Sequence, residues 1–581
     1  MTSAELSLPV LLFAPLAAAL IILLGKFLPR RWVTLPAFLL WLGASVWALA
    51  AAAPAVFSGR LLTYSLGGWS APWGITLELR GIAWIATCTD VLIGAAAWLQ
   101  SLRSRRLSLH FYFFFFLALF ALQGTLYTGD LFNLFIWFEV LSLSSFVLIA
   151  YERHLTARLA AIRYLLISSV SIIMFLLGVW ILYHHSGVLS MAGTAAALPP
   201  SGSGDAGSAV GLALALITGG VLTRAAIFPF HTWLPEAHAA APYPVSALLS
   251  GFVIKAPVLA LWRFYDHLSF PALGQLLVWT GAASALLAVI AAMAQRDAKK
   301  LLGYHSVSQM GYILAAFGVG GIAGKTAALY FIIAHALFKS LLFLTVGEVT
   351  DKAGSRNVYR LHGLGRRFPL TGLLYAVAAC SIAGVPLFAG YSAKLLVAEA
   401  LPASGAYYLL LATGVGTAAS FFKLSRIFTG PPLRLNPAEP ERPAASTGPH
   451  AGPHAVPHAS PRRHFTGAVV PLGTLLLAAG CLLMGLFPGR SAELFTLLTG
   501  HAAGRAVAGT PGIVASWFSL SSLLKAFITL AAGFLLSLGL FTSAGKAAST
   551  CIRRLRLDVG GALRLLTAGF AVLLLYGALF Y

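Results

Sequence analysis

Residues 131–150 read LFNLFIWFEVLSLSSFVLIA, twenty positions with a single charge, Glu139. A run of that length suits a helix crossing ~30 Å of hydrocarbon at ~1.5 Å per residue. Barrel strands would instead alternate polar and apolar residues over segments of ~10. The stretch therefore reads as a transmembrane helix. Similar runs recur on both sides of it, near 6–28, 32–54, 81–101, 109–127, 129–151, 159–183, 208–230, 244–266, 272–294, 302–320, 326–347, 370–397, 404–429, 466–488, 519–542 and 561–581. These sixteen candidates take up most of the 581 residues and leave little room for an extramembrane domain. The composition agrees, with 59% hydrophobic and 10% charged residues. Soluble chains carry roughly a quarter charged residues, so a soluble enzyme and a disordered protein are both excluded.

The 39 Lys+Arg against 17 Asp+Glu invite a nucleic-acid reading. In so apolar a chain, cytoplasmic loops rich in Lys and Arg explain the excess better. When the loops are sorted onto alternating sides, 27 Lys and Arg fall on one side and 6 on the other. The richer side includes Lys26, Arg30, Arg103, Arg153, Arg296, Lys299, Lys352, Lys423 and Lys546. This asymmetry supports the span count and places both termini outside. Glu5 in place of a basic n-region, followed by a long apolar run and then Lys26, Arg30 and Arg31, argues against a cleavable signal peptide.

Two segments read as non-membrane. Residues 55–80 contain SLGGWSAPWGITLEL, which is turn-rich with alternating apolar positions and fits an external β-hairpin. Residues 430–464 carry PHAGPHAVPHAS, where His450, His454 and His458 recur every four positions. Proline in every repeat favours an extended linker over a metal-binding tract. Cys88, Cys380, Cys481 and Cys551 are isolated, with no metal, haem or cofactor motif. No cofactor is expected.

A charge at membrane depth costs ~3 kcal/mol or more, so each charge left inside a span is a functional candidate. Glu139 lies in the fifth span, Arg224 in GGVLTRAAIFPFHTWLP of the seventh, and Lys255 in VSALLSGFVIKAPVLALW of the eighth. Lys339 follows His335 by four residues in the eleventh, on one helix face. Lys394 follows Pro386 and Gly390 in the twelfth. His231, His238 and His305 are further candidates. Singly, such residues can snorkel or form structural ion pairs. Spread over five helices they describe a proton or ion path. Pro229 and Pro386 also break the seventh and twelfth spans, each with a cation nearby. Paired breaks five spans apart point to two inverted five-helix units, spans 4–8 and 9–13.

These residues carry a resemblance. GDLFNLFIWFEVLSLSSFVLIAY, RAAIFPFHTWLPEAHAAAPYPVSALLSGFVIK, QRDAKKLLGYHSVSQMGYI, AHALFKSLLFL and GVPLFAGYSAK together resemble the antiporter-like membrane subunits shared by respiratory complex I, Mrp-type Na+/H+ antiporters and group 4 membrane-bound hydrogenases. The match runs from about residue 60 to 430. It implies an all-α, fourteen-helix core with two inverted repeats and broken helices 7 and 12, extended here by two C-terminal helices. It also implies that Glu139, Lys255 and Lys394 belong to the proton path, with His335 and Lys339 as its central relay. Two positions depart from the family: Arg224 stands where a lysine is usual, and Arg80 where an acid often precedes the third helix. A lysine can release its proton, whereas a guanidinium keeps its own. His305 resembles the hydrogenase-type branch.

The expected organisation is helices 1–3 with the hairpin (1–108), a first repeat (109–266), a second repeat (267–429), the linker (430–464) and C-terminal helices (465–581). The expected function is proton translocation, or exchange of H+ for Na+, by one subunit of a membrane complex in a bacterial or archaeal cytoplasmic membrane, alongside other membrane subunits. The alternative is a non-conducting structural subunit, for which Arg224 is the best argument. A quinone-reducing enzyme in its own right fits poorly, because the chain offers no redox centre.

Overall fold

Fifteen of the sixteen runs are helical or broken helical spans in a computed structural model that describes residues 3–554, apart from 70, 72, 105–106, 199–203, 269–270, 402, 432–471 and 501–516. The run at 561–581 and nearly all of the 430–464 linker lie outside the described residues. Among the described residues, twelve helices are long and apolar enough to cross a membrane, or thirteen if one bent pair counts as a single span.

The first six spans are α1 (Ser3–Leu24), α2 (Arg30–Phe57), α3 (Gly81–Ser101), α4 (Leu109–Tyr127), α5 (Leu131–Ile149) and α6 (Leu155–Ser186). Between α2 and α3 lies the expected hairpin, β1 (Leu62–Ser65) against β2 (Thr76–Leu79), with Leu62 opposite Leu79 and Tyr64 opposite Leu77. Its buried leucines seat it on the helix ends, and a bridge from Leu77 to Thr128 ties it to the α4–α5 turn. Asp130 then starts α5 by accepting the Asn133 amide at 2.7 Å. A short helix, α7 (Met191–Ala197), caps this end.

Three spans in the middle of the chain are interrupted. The seventh runs as α8 (Gly204–Arg224), a break, then α9 (Trp233–Ala240). The twelfth runs as α15 (Pro369–Ala383) and α16 (Ala389–Ala400), with Gly384 capping α15 at φ 85°. Both of these breaks were expected. The eighth span adds one that was not: α10 (Tyr243–Leu248), a five-residue π-turn at Leu249–Val253, then α11 (Ala256–Tyr265). Pro257 sits in the first turn of α11 and has no N–H to return to Val253, so a regular ladder cannot continue there.

α12 (Pro271–Ala294) and α13 (Ala298–Val319) pack backbone to backbone. A Cβ on Gly281 would lie 2.6 Å from the Gly311 carbonyl oxygen, and one on Gly274 the same distance from that of Gly318. Small residues permit such contact, which drives helix association in lipid. α14 (Gly321–Ala353) is the core. Its 33 residues span ~50 Å, its apolar stretch is wholly buried, and it touches α3, α10, α13, α15, α16 and two later helices. The chain continues with α17 (Gly405–Ser425), then α18 (Leu472–Leu486) and α19 (Pro488–Leu498), which meet at 97°. The described residues end in α20 (Leu520–Phe541) and α21 (Ser543–Arg554).

Candidate functional site

Arg224 ends α8 and turns into the protein, where its guanidinium is nearly surrounded. Nη1 donates to the Ser142 hydroxyl at 2.7 Å and to the Phe138 carbonyl at 3.2 Å, and the group stacks 4.7 Å from the Phe138 ring centre. Nη2 lies 3.6 Å from Glu139 Oε1. The Glu139 side chain itself is 48% exposed. This corrects the sequence reading, which buried it. Phe132, Ile136, Glu139 and Leu143 form the outward stripe of α5, so the carboxylate emerges on an apolar lateral face at mid-span. Because α5 is apolar on every side, its sequence gives no sign of which face turns outward. Beside Arg224 is a cavity of about 20 Å³ lined by Tyr164, Ser168, Thr223, Trp233, Val253 and Pro257 among others, roughly the room one water needs.

Lys255 lies beyond that cavity, at the π-turn, with no exposed surface. Its ammonium donates to the carbonyls of Ser250 at 2.5 Å and Gly251 at 2.7 Å. The irregular turn leaves these carbonyls available, which is how broken backbone at membrane depth can hold a cation. Lys339 on α14 donates to the Leu302 carbonyl and lies 5.0 Å from the Phe343 ring centre. His335 is one turn away, and neither of its ring nitrogens has a partner among the described residues. His238 and His305 are also fully buried with both nitrogens unpartnered.

These groups form a row. Lys255, His335, His238 and Lys339 lie close enough to feel one another's charge. His305 lies close enough to Lys339 and to Lys394 to feel the charge of both. Lys394 Nζ donates to the Ile382 carbonyl at 2.7 Å, an oxygen freed where α15 ends at its glycine cap. A side chain on Gly384 would press against this lysine, its Cβ 3.4 Å from Nζ. The sequence candidates His238 and His305 thus join the row. His231 does not: it sits at the seventh-span break beside Phe228 and Tyr304. Among the described residues no carboxylate pairs with these lysines, and no three metal-ligating side chains gather.

The family described as NADH:quinone oxidoreductase/Mrp antiporter, TM matches residues 128–420, which contain all nine sequence candidates. The chain belongs to that antiporter-like membrane family. It is 34% identical over 428 residues to NADH-quinone oxidoreductase subunit N of Desulforudis audaxviator (strain MP104C), covering 71% of this chain and 83% of that one. It is 30% identical over 381 residues to the D component of the Na(+)/H(+) antiporter of Bacillus subtilis (strain 168), covering 64% and 76%. Among solved structures, one from the Mrp complex of Dietzia sp. DQ12-45-1b superposes with a TM-score of 0.74 at 25% identity, covering 89% of this chain and 99% of that one.

This antiporter-like protein also buries charges that the sequence reading counted as loop residues or passed over. Lys423 at the end of α17 donates to the Met293 and Gln295 carbonyls at 2.6 and 2.8 Å, and it too interacts with His305. Lys299 turns inward to the Ala241 carbonyl. Glu348 is held by Arg103 and Lys352, each at 2.6 Å, and by Gln100 at 3.0 Å. Arg263 donates to the carbonyls of Thr125 and Thr128. Asp90 lies in the middle of α3, and the rule that flagged Glu139 would have flagged it as well: a lone acid in an apolar run.

Proposed function

We propose that the chain is an ion-conducting membrane subunit that moves protons, or exchanges H+ for Na+, within a larger membrane complex. The observation that carries this reading is the buried row from Lys255 through His335, His238, Lys339 and His305 to Lys394. Its ammonium groups rest on carbonyl dipoles and its imidazole nitrogens are left open for water. A structural scaffold has little use for six titratable groups at membrane depth. Protons pass along the row through internal water, and the Glu139–Arg224 pair biases, through the neighbouring cavity, the state of Lys255. Because the chain carries no redox motif, driving energy comes from partner subunits or from an existing ion gradient.

The same reading assigns spans 4–8 (109–266) and 9–13 (267–429) to two inverted units, each with one broken helix. It sets the Lys- and Arg-rich ends in the cytoplasm and the termini outside, in a bacterial or archaeal cytoplasmic membrane. It also puts a partner subunit against the α5 stripe, since a half-exposed carboxylate among apolar residues needs a polar neighbour there. The test is Glu139→Gln in the assembled complex, reconstituted in vesicles. Assembly should persist while ΔpH-driven flux disappears. Wild-type flux would remove Glu139 from the path.

One observation favours a second reading, a subunit that no longer conducts. Arg224 holds its proton where relatives of this family often have a lysine. Flux near zero in wild type that rises strongly in Arg224→Lys would establish it.

A further inference from the structure

Three contacts fix how α2, α3 and α4 face one another. A Cβ on Gly94 of α3 would lie 3.0 Å from the Trp41 ring of α2 and 3.3 Å from the Leu119 side chain of α4. Nearer the hairpin end, the Trp84 indole of α3 donates to the Leu49 carbonyl of α2 at 3.0 Å. At that end too, the hydroxyls of Thr87 on α3 and Tyr127 on α4 lie 2.7 Å apart. Position numbers rise on α2 and α4 as they fall on α3, so α3 is antiparallel to both. One helical turn from the Trp41–Gly94–Leu119 contact toward the hairpin therefore brings Ser45, Asp90 and Gln123 to one level. Each is four residues from a contact residue and shares its face.

All three are fully buried. The Ser45 hydroxyl, both Asp90 carboxyl oxygens and both polar atoms of the Gln123 amide have no hydrogen-bond partner among the described residues. A buried polar group is ordinarily satisfied, and a group of them left open together calls for a partner such as a water or an ion. By that helix geometry, five such atoms fall at about one level on three helices. Tyr127 on α4 lies close enough to Asp90 to feel its charge, and among the described residues no cation pairs with the carboxylate. Elsewhere on α3, Ile93 packs on the π-turn: a Cβ on Gly251 would lie 3.0 Å from it, and the Gly251 carbonyl is one that Lys255 holds.

We propose that Ser45, Asp90 and Gln123 form a binding site for one monovalent positive charge, a proton or Na+, between the Lys255 turn and the hairpin end of the molecule. Its part in transport rests on the conducting role proposed above; the binding itself does not. With a proton bound, the Asp90 hydroxyl donates to the Gln123 amide oxygen or to Ser45. With Na+ bound, the carboxylate, the amide oxygen and the hydroxyl oxygen all face the ion, the hard-oxygen donor set such cations take.

The test is infrared difference spectroscopy of the purified complex, wild type against Asp90→Asn, in choline and in Na+ buffer. In choline the wild type should show a protonated-carboxyl C=O band that the variant lacks. If the band survives Na+, the occupant is a proton; if Na+ converts it to carboxylate bands, the site takes Na+. Carboxylate bands in both buffers would overturn the proposal. Gln123→Leu, which keeps Asp90, should shift the acid band, and an unshifted band would dissolve the cluster. Flux in Glu139→Gln separates the two claims, since that variant should stop transport and leave the Asp90 band unchanged. Normal flux there would only remove Glu139 from the path; a wild type without flux but with an intact Asp90 band would overturn the proposed function and leave the site standing.

Discussion

At Arg224 the positive charge is boxed in by Ser142, the Phe138 carbonyl and the Phe138 ring, while its acidic partner Glu139 opens outward. The arginine therefore serves as a fixed charge, and what the path needs from it is sign. Arg224→Lys should keep flux within about twofold, because an ammonium supplies the same charge. Arg224→Ala should lower flux by roughly tenfold or more, because it removes the fixed positive charge 3.6 Å from Glu139. Flux assays on the two variants side by side decide between these outcomes. Lys394→Ala should also block transport, since it removes the cation at the far end of the row; full activity would shift the exit to Lys423. Residue type and depth make Lys255, His335, Lys339 and Lys394 legible in the sequence. Lys299 and Lys423 are not legible, because each stands at a span end where a lysine can point either way and only packing turns it inward. The direction of Glu139 is hidden for a related reason, as an all-apolar helix does not declare its face.

Among the elements, the breaks in the seventh and twelfth spans can be read from Pro229, Pro386 and Gly384. The π-turn of the eighth cannot. Pro257 alone looks like a normal first-turn proline, and only the path of the preceding backbone shows that a turn has been widened around Lys255. π-turns of this kind gather at functional sites, and here the widened turn supplies the two carbonyls that hold the ammonium. The glycine seam between α12 and α13 is a purely structural counterpart. Gly311→Val would drive its side chain into the backbone at Gly281 and Ala285, neither of which can move aside without separating the helices. The variant should be less stable by about 2 kcal/mol, in the range of overpacked cores, and should melt earlier in detergent. An unchanged melting curve would show that the seam has slack.

At the scale of the whole molecule, the length of the apolar runs was enough to read an all-α membrane protein and to place fifteen of those runs on helices. The way those spans wrap around α14 was beyond sequence, since every helix is apolar enough to lie anywhere in the bundle. The PHA repeats of the 430–464 linker lie outside the described residues. Their composition predicts that replacing all three with Gly-Ser leaves flux unaltered, and loss of flux would give them a task. The outward stripe of α5 bears on how the cell handles this protein before assembly. Made without its neighbours, the chain shows the lipid a carboxylate at mid-bilayer, a mark by which surveillance proteases can tell an orphan from an incorporated copy. Its lifetime should therefore be short when expressed alone and lengthen with Glu139→Gln. Pulse-chase measurements giving equal lifetimes would mean that Arg224 shields the carboxylate well enough for the orphan to pass as finished.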